Sequence, residues 1–308
     1  MSSAWNWYIG IIAVANILAC VWLIRWTAKK RPGEGAAHET TGHEWDGLTE
    51  LNNPMPRWWL WLFYITIVFG LIYLVLYPSF GSYPGLLGWS QYSAWEEEVE
   101  ATEERVAPLF AEYAQIPVAE LAENDEAMQT GRRLFGNNCA VCHGADGGGR
   151  PGFPDLTNNK WNWGGDPEQL HASILNGRSG VMPALGGALG EQGVTEVSAY
   201  VFSLTGRDAP DDLVRRGRQR FEQQCVACHG ADASGNTALG APNLNTPENW
   251  IYGTSLEAIR TTIRDGRHGV MPGQEEFLGE DRVHLLTAYV YSLSEEARAR
   301  EVNGASDD

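Results

Sequence analysis

The pentapeptide Cys139-Ala140-Val141-Cys142-His143 returns as Cys225-Val226-Ala227-Cys228-His229, 86 positions further along the 308-residue chain. No other feature restricts the fold as strongly. Two thiols separated by two residues lie on one side of a single turn, and an imidazole follows at the next position. C-x-x-C-H is the pattern through which haem c is attached: each sulfur bonds a vinyl group, and the His becomes the proximal iron ligand. Cys139, Cys142, Cys225 and Cys228 are therefore expected to hold two covalent haems c, with His143 and His229 on their irons. Zinc is the competing reading, because Cys pairs also build zinc ribbons. Those ribbons place the second pair about 15–20 residues after the first and need no His behind each pair.

The surrounding sequence is duplicated as well, which marks an internal repeat. Gly131-Arg132-Arg133-Leu134-Phe135 precedes the first motif and Gly217-Arg218-Gln219-Arg220-Phe221 the second. Pro154-Asp155-Leu156 answers to Pro242-Asn243-Leu244, the segment Ile174 to Pro183 to Ile263 to Pro272, and Ala199 to Leu204 to Ala288 to Leu293. The period is 86 to 89 residues.

This pattern resembles class I cytochrome c over most of both copies. The resemblance implies an N-terminal helix carrying Gly and Phe, the haem motif, a loop presenting a Met as second axial ligand, and a C-terminal helix whose aromatic residue packs on the first helix. It carries the ligand role to Met182, 39 residues after His143, for haem iron 1, and to Met271, 42 residues after His229, for haem iron 2. Each stands in a Gly-Val-Met-Pro sequence, and the following Pro stiffens the loop. His268, three residues before Met271, is the alternative sixth ligand of the second haem. His171 and His284 fall in expected helices and read as surface or packing residues, while Leu156, Leu244, Trp163 and Trp250 are expected to line the haem crevices. His/Met ligation raises the potential and fills both axial positions, which points to electron transfer and away from bond chemistry.

Trp5 to Ile24 and Trp58 to Tyr77 are uncharged 20-residue runs, long enough to cross a bilayer as helices. A cleaved signal peptide would carry positive charge ahead of the first run, whereas Arg25, Lys29, Lys30 and Arg31 follow it. The five basic residues among positions 1–77 all lie between 25 and 57. The positive-inside rule then puts this connector in the cytoplasm and both chain ends outside, the side on which haem c is attached. Cys20, inside the first run, reads as a small apolar residue, and no structural disulfide is expected. After the second run, Ser93 and Glu96 fit a capping box opening a short amphipathic helix, which Pro108 and Pro117 would break.

Five acidic residues balance the five basic ones up to position 77, so the formal net charge of −17 belongs to the exported part. Such a surface argues against nucleic acid and favours a basic electron-donor protein.

The segment Asp46-Gly47-Leu48-Thr49-Glu50-Leu51-Asn52-Asn53-Pro54-Met55-Pro56-Arg57-Trp58-Trp59, running on to Tyr77-Pro78, is very similar to the dihaem subunit of cbb3-type cytochrome c oxidases. Many members of that family have the second membrane helix alone, so the first helix is a departure. The resemblance implies a wire in the bacterial inner membrane, with no catalysis of its own. It would take electrons from a soluble or membrane-bound cytochrome c and pass them to a monohaem c subunit and then to the catalytic haem–copper subunit, where oxygen is reduced. A dihaem subunit of another periplasmic dehydrogenase or reductase is one alternative, although it leaves Asp46–Arg57 unexplained; a dihaem peroxidase is another. The expected architecture is all-α. It comprises a first transmembrane helix and flank at 1–30, a cytoplasmic connector at 31–56, a second helix at 57–78, and a periplasmic linker at 79–124. Cytochrome c domains follow at 125–207 and 208–300, then a tail at 301–308.

Overall fold

The computed structural model describes residues 3–29, 36–80 and 83–304. Lys30 and Arg31 of the basic flank, and residues 305–308 of the expected tail, lie outside the described residues. The chain divides into two units, Met1–Arg105 and Val106–Asp308.

In the first unit, helices α1 (Ser3–Thr27) and α2 (Arg57–Leu76) are long and apolar enough to cross a membrane. Their large apolar side chains, such as Trp5, Ile11, Trp61 and Phe69, are exposed, as suits helices whose partner is lipid hydrocarbon. Between them the expected connector contains an antiparallel hairpin, β1 (Thr40–Trp45) with β2 (Leu48–Leu51). Its turn is Asp46-Gly47, both at positive φ (50° and 82°), which gives a turn whose twist matches the strands.

Helix α3 (Gln91–Tyr113) straddles the division between the units. The capping box opens at Ser90: its hydroxyl accepts from the Ser93 amide at 3.0 Å, and Ser93 Oγ accepts from the Ser90 amide at 3.1 Å. The expected Ser93/Glu96 box is therefore displaced by one turn. Pro108 sits inside the helix without ending it. Pro117 instead precedes the single turn α4 (Val118–Leu121).

The second unit contains two cores that carry the haem-motif turns, and a third apolar cluster that shares the last helix with the first of them. From the first repeat come α5 (Asp125–Asn138), the haem-motif turn α6 (Ala140–His143), α7 (Pro167–Asn176), strand β3 (Gly177–Met182) and α8 (Gly186–Ser203). The second repeat supplies α9 (Asp211–Gln224), α10 (Val226–His229), α11 (Leu256–Asp265), β4 (Arg267–Pro272), α12 (Glu275–Leu278) and α13 (Glu280–Gly304). Helix α13 thus runs into the stretch expected as a tail. The added ribbon pairs β3 antiparallel with β4, from Gly177 opposite Pro272 to Met182 opposite Arg267.

The two repeats do not fold as separate units. Helix α8 packs on α9 and α11, whereas α13 packs on α5 and α7. Core A thus joins Phe135, Leu170 and Ile174 to Val283, Leu286 and Tyr289. Core B joins Val194, Val197 and Val201 to Phe221, Ile259 and Ile263. A boundary at 207/208 cuts core B in two. The short connector from Leu204 to Asp211 explains this, because closely linked helices pack as neighbours.

Candidate haem sites

The two motif turns are built alike. Cys139 ends α5 and opens α6, its carbonyl accepting from the amides of Cys142 (3.1 Å) and His143 (3.0 Å). Cys225 does the same for Cys228 (3.2 Å) and His229 (2.9 Å). Gly144 and Gly230, at φ 81° and 79°, reverse the chain immediately afterwards. A side chain is strained there, so glycine allows the loop to fold back under the histidine. The Gly149 and Gly235 amides then donate to the carbonyls of His143 and His229, each at 2.8 Å.

Both histidines are buried, at 8% exposure each. Nδ1 of His143 lies 3.2 Å from the Pro154 carbonyl, and Nδ1 of His229 lies 3.2 Å from that of Pro242. With a proton on Nδ1 it donates to the carbonyl, leaving Nε2 as the free lone pair. Such a bond fixes the tautomer and ring orientation of a metal-binding His. Burial holds both imidazoles below the usual histidine range, the carbonyl bond opposing it, so the rings stay neutral. Burial also pushes the thiols of Cys139 and Cys225 up to about 11, the neighbouring Cys of each motif adding to it.

These residues fit haem c. Thiols and a neutral, oriented imidazole meet at the edge of each apolar core. The indole N–H of Trp161, packed against core A, is buried and finds no acceptor among the described residues; such a donor suits a haem propionate. At the matching position Trp250 donates to the Asn243 carbonyl at 3.1 Å. Cys139 and Cys225, one from each pair, pack in separate cores, so the two pairs do not form one four-cysteine cluster.

The ribbon carries both methionines. Their side chains share its inner face with Arg178, Gly180, Arg267 and Gly269, while Ser179, Val181, His268 and Val270 are exposed. His268 therefore points away from the face that bears Met271. Met271 packs against core A, which includes Cys139, and Met182 against core B, which includes Cys225. The expected pairs, Met182 with His143 and Met271 with His229, are not brought together in one core. Leu156 lies in core A and Leu244 with Trp250 in core B, whereas Trp163 lies under the Arg178 guanidinium at 5.2 Å. His171 and His284 come together, ring centres 6.2 Å apart, and His284 Nε2 is 2.8 Å from the Ile116 carbonyl. They pack between helices, as expected.

Sequence reasoning missed Arg178 and Arg267, which stack on Trp163 and Tyr252 (4.4 Å for the latter) at equivalent positions of the repeats. Their place beside each Gly-Val-Met-Pro segment was the available signal.

Comparison with known proteins places the chain in a family. Residues 37–84 match the N-terminal domain of cytochrome oxidase-cbb3, FixP, and residues 126–201 and 212–290 each match cytochrome c oxidase, cbb3-type, subunit III. The cbb3-type cytochrome c oxidase subunit CcoP of Rubrivivax gelatinosus is 40% identical over 296 residues, 96% of each chain. The FixP subunits of Azorhizobium caulinodans (40%; 85% of this chain and 95% of the relative) and Rhizobium meliloti (38%; 86% and 97%) are similar. The duplicated motif turns, the two apolar helices and these matches lead to one conclusion: the chain belongs to the CcoP/FixP family, the membrane-anchored subunits of cbb3-type cytochrome c oxidase that carry covalently bound haem c.

Proposed function

We propose that this chain carries electrons from a basic cytochrome c, through two His/Met-ligated haems on the periplasmic side, to a monohaem c subunit and the haem–copper subunit of the oxidase. When bound, each haem supplies a one-electron site that cycles between ferric and ferrous iron. The protein's part is to hold and shield it. Cys139 with Cys142, and Cys225 with Cys228, would fix the macrocycle through thioether bonds. His143 and His229 are oriented by the Pro154 and Pro242 carbonyls. Met182 and Met271, packed against the two cores, would supply the thioether ligands. The apolar cores keep water out and lower the cost of the electron's arrival.

The observation that carries this reading is the matched pair of motif turns, each ending in a buried neutral histidine and each accompanied by one ribbon methionine. With Met182 and Met271 as second ligands beside His143 and His229, neither iron would offer a place for oxygen or peroxide. Both chain termini lie in the periplasm in this reading, with the hairpin between α1 and α2 in the cytoplasm, because the basic residues cluster there. The net charge of −17 favours encounter with a basic donor at low salt.

Absorption spectra of the reduced and oxidised full-length chain test the reading. Two low-spin c haems, a Met-to-iron charge-transfer band of two-haem strength, and no carbon monoxide binding are expected. Rapid carbon monoxide binding by one haem would overturn it in favour of a catalytic site.

A further inference from the structure

We propose that the axial methionines are exchanged between the repeats: Met271 serves the haem held by Cys139, Cys142 and His143, and Met182 the haem held by Cys225, Cys228 and His229. The proposal rests on the His/Met reading above and decides which methionine completes which site.

Three observations carry it. The first is the helix crossing that defines each core. In core A the Phe135 and Tyr289 rings lie 5.4 Å apart, and a Cβ on Gly131 would meet Tyr289 Cβ at 2.9 Å. In core B the Tyr200 and Phe221 rings lie 5.3 Å apart, and a Cβ on Gly217 would run into the Glu196 carbonyl. Each Gly/Phe helix is therefore closed by the aromatic helix of the other repeat.

The second is the ribbon. Strand β3 leaves core A at Gly177 and delivers Met182 at its far end, opposite Arg267; β4 leaves core B there and delivers Met271 opposite Arg178. Six residues of extended chain separate the ends of β3 by about 17 Å at roughly 3.4 Å per residue. Returning Met182 to core A would require breaking the six-residue register.

The third is how the strands are anchored where they arrive. Past Met271, the Gln274 amide donates to the Ile174 carbonyl of core A at 3.0 Å. Past Met182, the Leu185 amide donates to the Ile263 carbonyl of core B at 3.0 Å. These two bonds join equivalent positions of the repeat, so the exchange is reciprocal. Core B is then a contiguous stretch inserted into core A, and the ribbon is the only crossing between them among the described elements that carries an axial ligand.

The exchange ties the two haems together. Neither repeat alone contains a complete ligand set within one core, so maturation of either site needs both halves of the chain.

A redox titration of the full-length chain in detergent, with one haem optically marked, tests the assignment. Cys139→Ala leaves one vinyl of the first haem conjugated with the ring, and its reduced α band moves to the red. Met271→His or Met182→His is added to that background. Replacing Met by His lowers the potential of the iron concerned. Exchange predicts that Met271→His lowers the midpoint of the red-shifted component alone, and Met182→His that of the unshifted component alone. The reverse assignment would overturn the exchange while keeping His/Met ligation. No shift with either variant would overturn the ligation reading itself. Should the marked chain fail to mature, a protease site placed between Arg207 and Pro210 of the otherwise unaltered chain gives the second readout. After cleavage and separation in denaturant, exchange predicts that neither refolded fragment regains the Met-to-iron band. A band in each fragment alone would contradict it.

Discussion

Core A and core B are built from the same repeat, yet they close the outer face of their C-terminal helix in opposite ways. In core A that face of α13 is apolar: Leu285 and Ala288 pack beneath Phe110, Tyr113, Val118 and Leu121, which precede the first repeat. In core B the position equivalent to Leu285 is Glu196, 1% exposed. Its carboxylate accepts from Arg220 Nε at 2.6 Å and from Gln192 at 2.9 Å, and pairs with Arg216 at 2.9 Å. The difference follows from what comes before each repeat. Helix α4 and the end of α3 precede α5, whereas only the connector after Leu204 precedes α9. Helix α8 instead closes with charge supplied by Arg216 and Arg220 of α9. A duplicated fold thus keeps its haem-facing chemistry while the opposite face adapts to local chain length.

The largest predicted effects fall on what the cores share. Phe135→Ala and Phe221→Ala each remove a fully buried ring and should cost about 3–5 kcal/mol, read from denaturant unfolding of the full-length chain followed by haem absorbance. Equal costs at both positions would show that the haem-side packing of the two cores is equivalent.

Next in size are the substitutions that separate the cores. Leu285→Ala should destabilise core A by about 2–5 kcal/mol through the cavity it leaves. Glu196→Ala should cost core B about 1.5–3 kcal/mol, the scale for hydrogen bonds to a charged group, moderated because both arginines are partly exposed. A loss confined to core A in the first variant and to core B in the second, resolved by the two haem signals, is the expected pattern.

Acid should distinguish the cores further. Hydrogen bonding from Arg220, then Gln192 and the two guanidinium charges, holds the Glu196 carboxyl below its ordinary range. A depressed carboxylate contributes stability above its unfolded pKa and loses it as pH falls through the folded one. Core B should therefore weaken as the pH drops through and below the ordinary carboxylate range. Glu196→Gln should flatten that dependence and leave core A's unchanged. The smallest effect is expected for Arg218→Ala: its pair with Glu222 is exposed on both sides, so about 0.5 kcal/mol or less should be lost.

Much of this arrangement was legible from residue order. The haem motifs, the repeat and the two membrane-length runs all rest on local patterns, and local patterns determine turns and helices. The hairpin at Asp46-Gly47 was equally local, since that dipeptide favours the turn formed there; it was hidden inside a stretch read only as a connector. The pairing of helices was not legible. Both repeats carry the same Gly, Phe and Tyr signature, so either C-terminal helix satisfies either core on sequence grounds. The choice lies with the short link from Leu204 to Asp211 and with the ribbon register, which involve residues about 90 positions apart (Arg178 and Met271, for example). Likewise Glu196 reads as an ordinary surface charge until Arg216 and Arg220 are placed against it.

A double-mutant cycle tests the crossed architecture most directly. Phe221→Ala is combined with Tyr200→Ala and, separately, with Tyr289→Ala, and stability is followed through the haem of core B. The exchanged fold predicts a coupling of about 0.5–1.5 kcal/mol for Phe221 with Tyr200, the scale of an aromatic pair, and none beyond error for Phe221 with Tyr289. Coupling of Phe221 to Tyr289, with Tyr200 silent, would contradict it and return each haem to its own repeat.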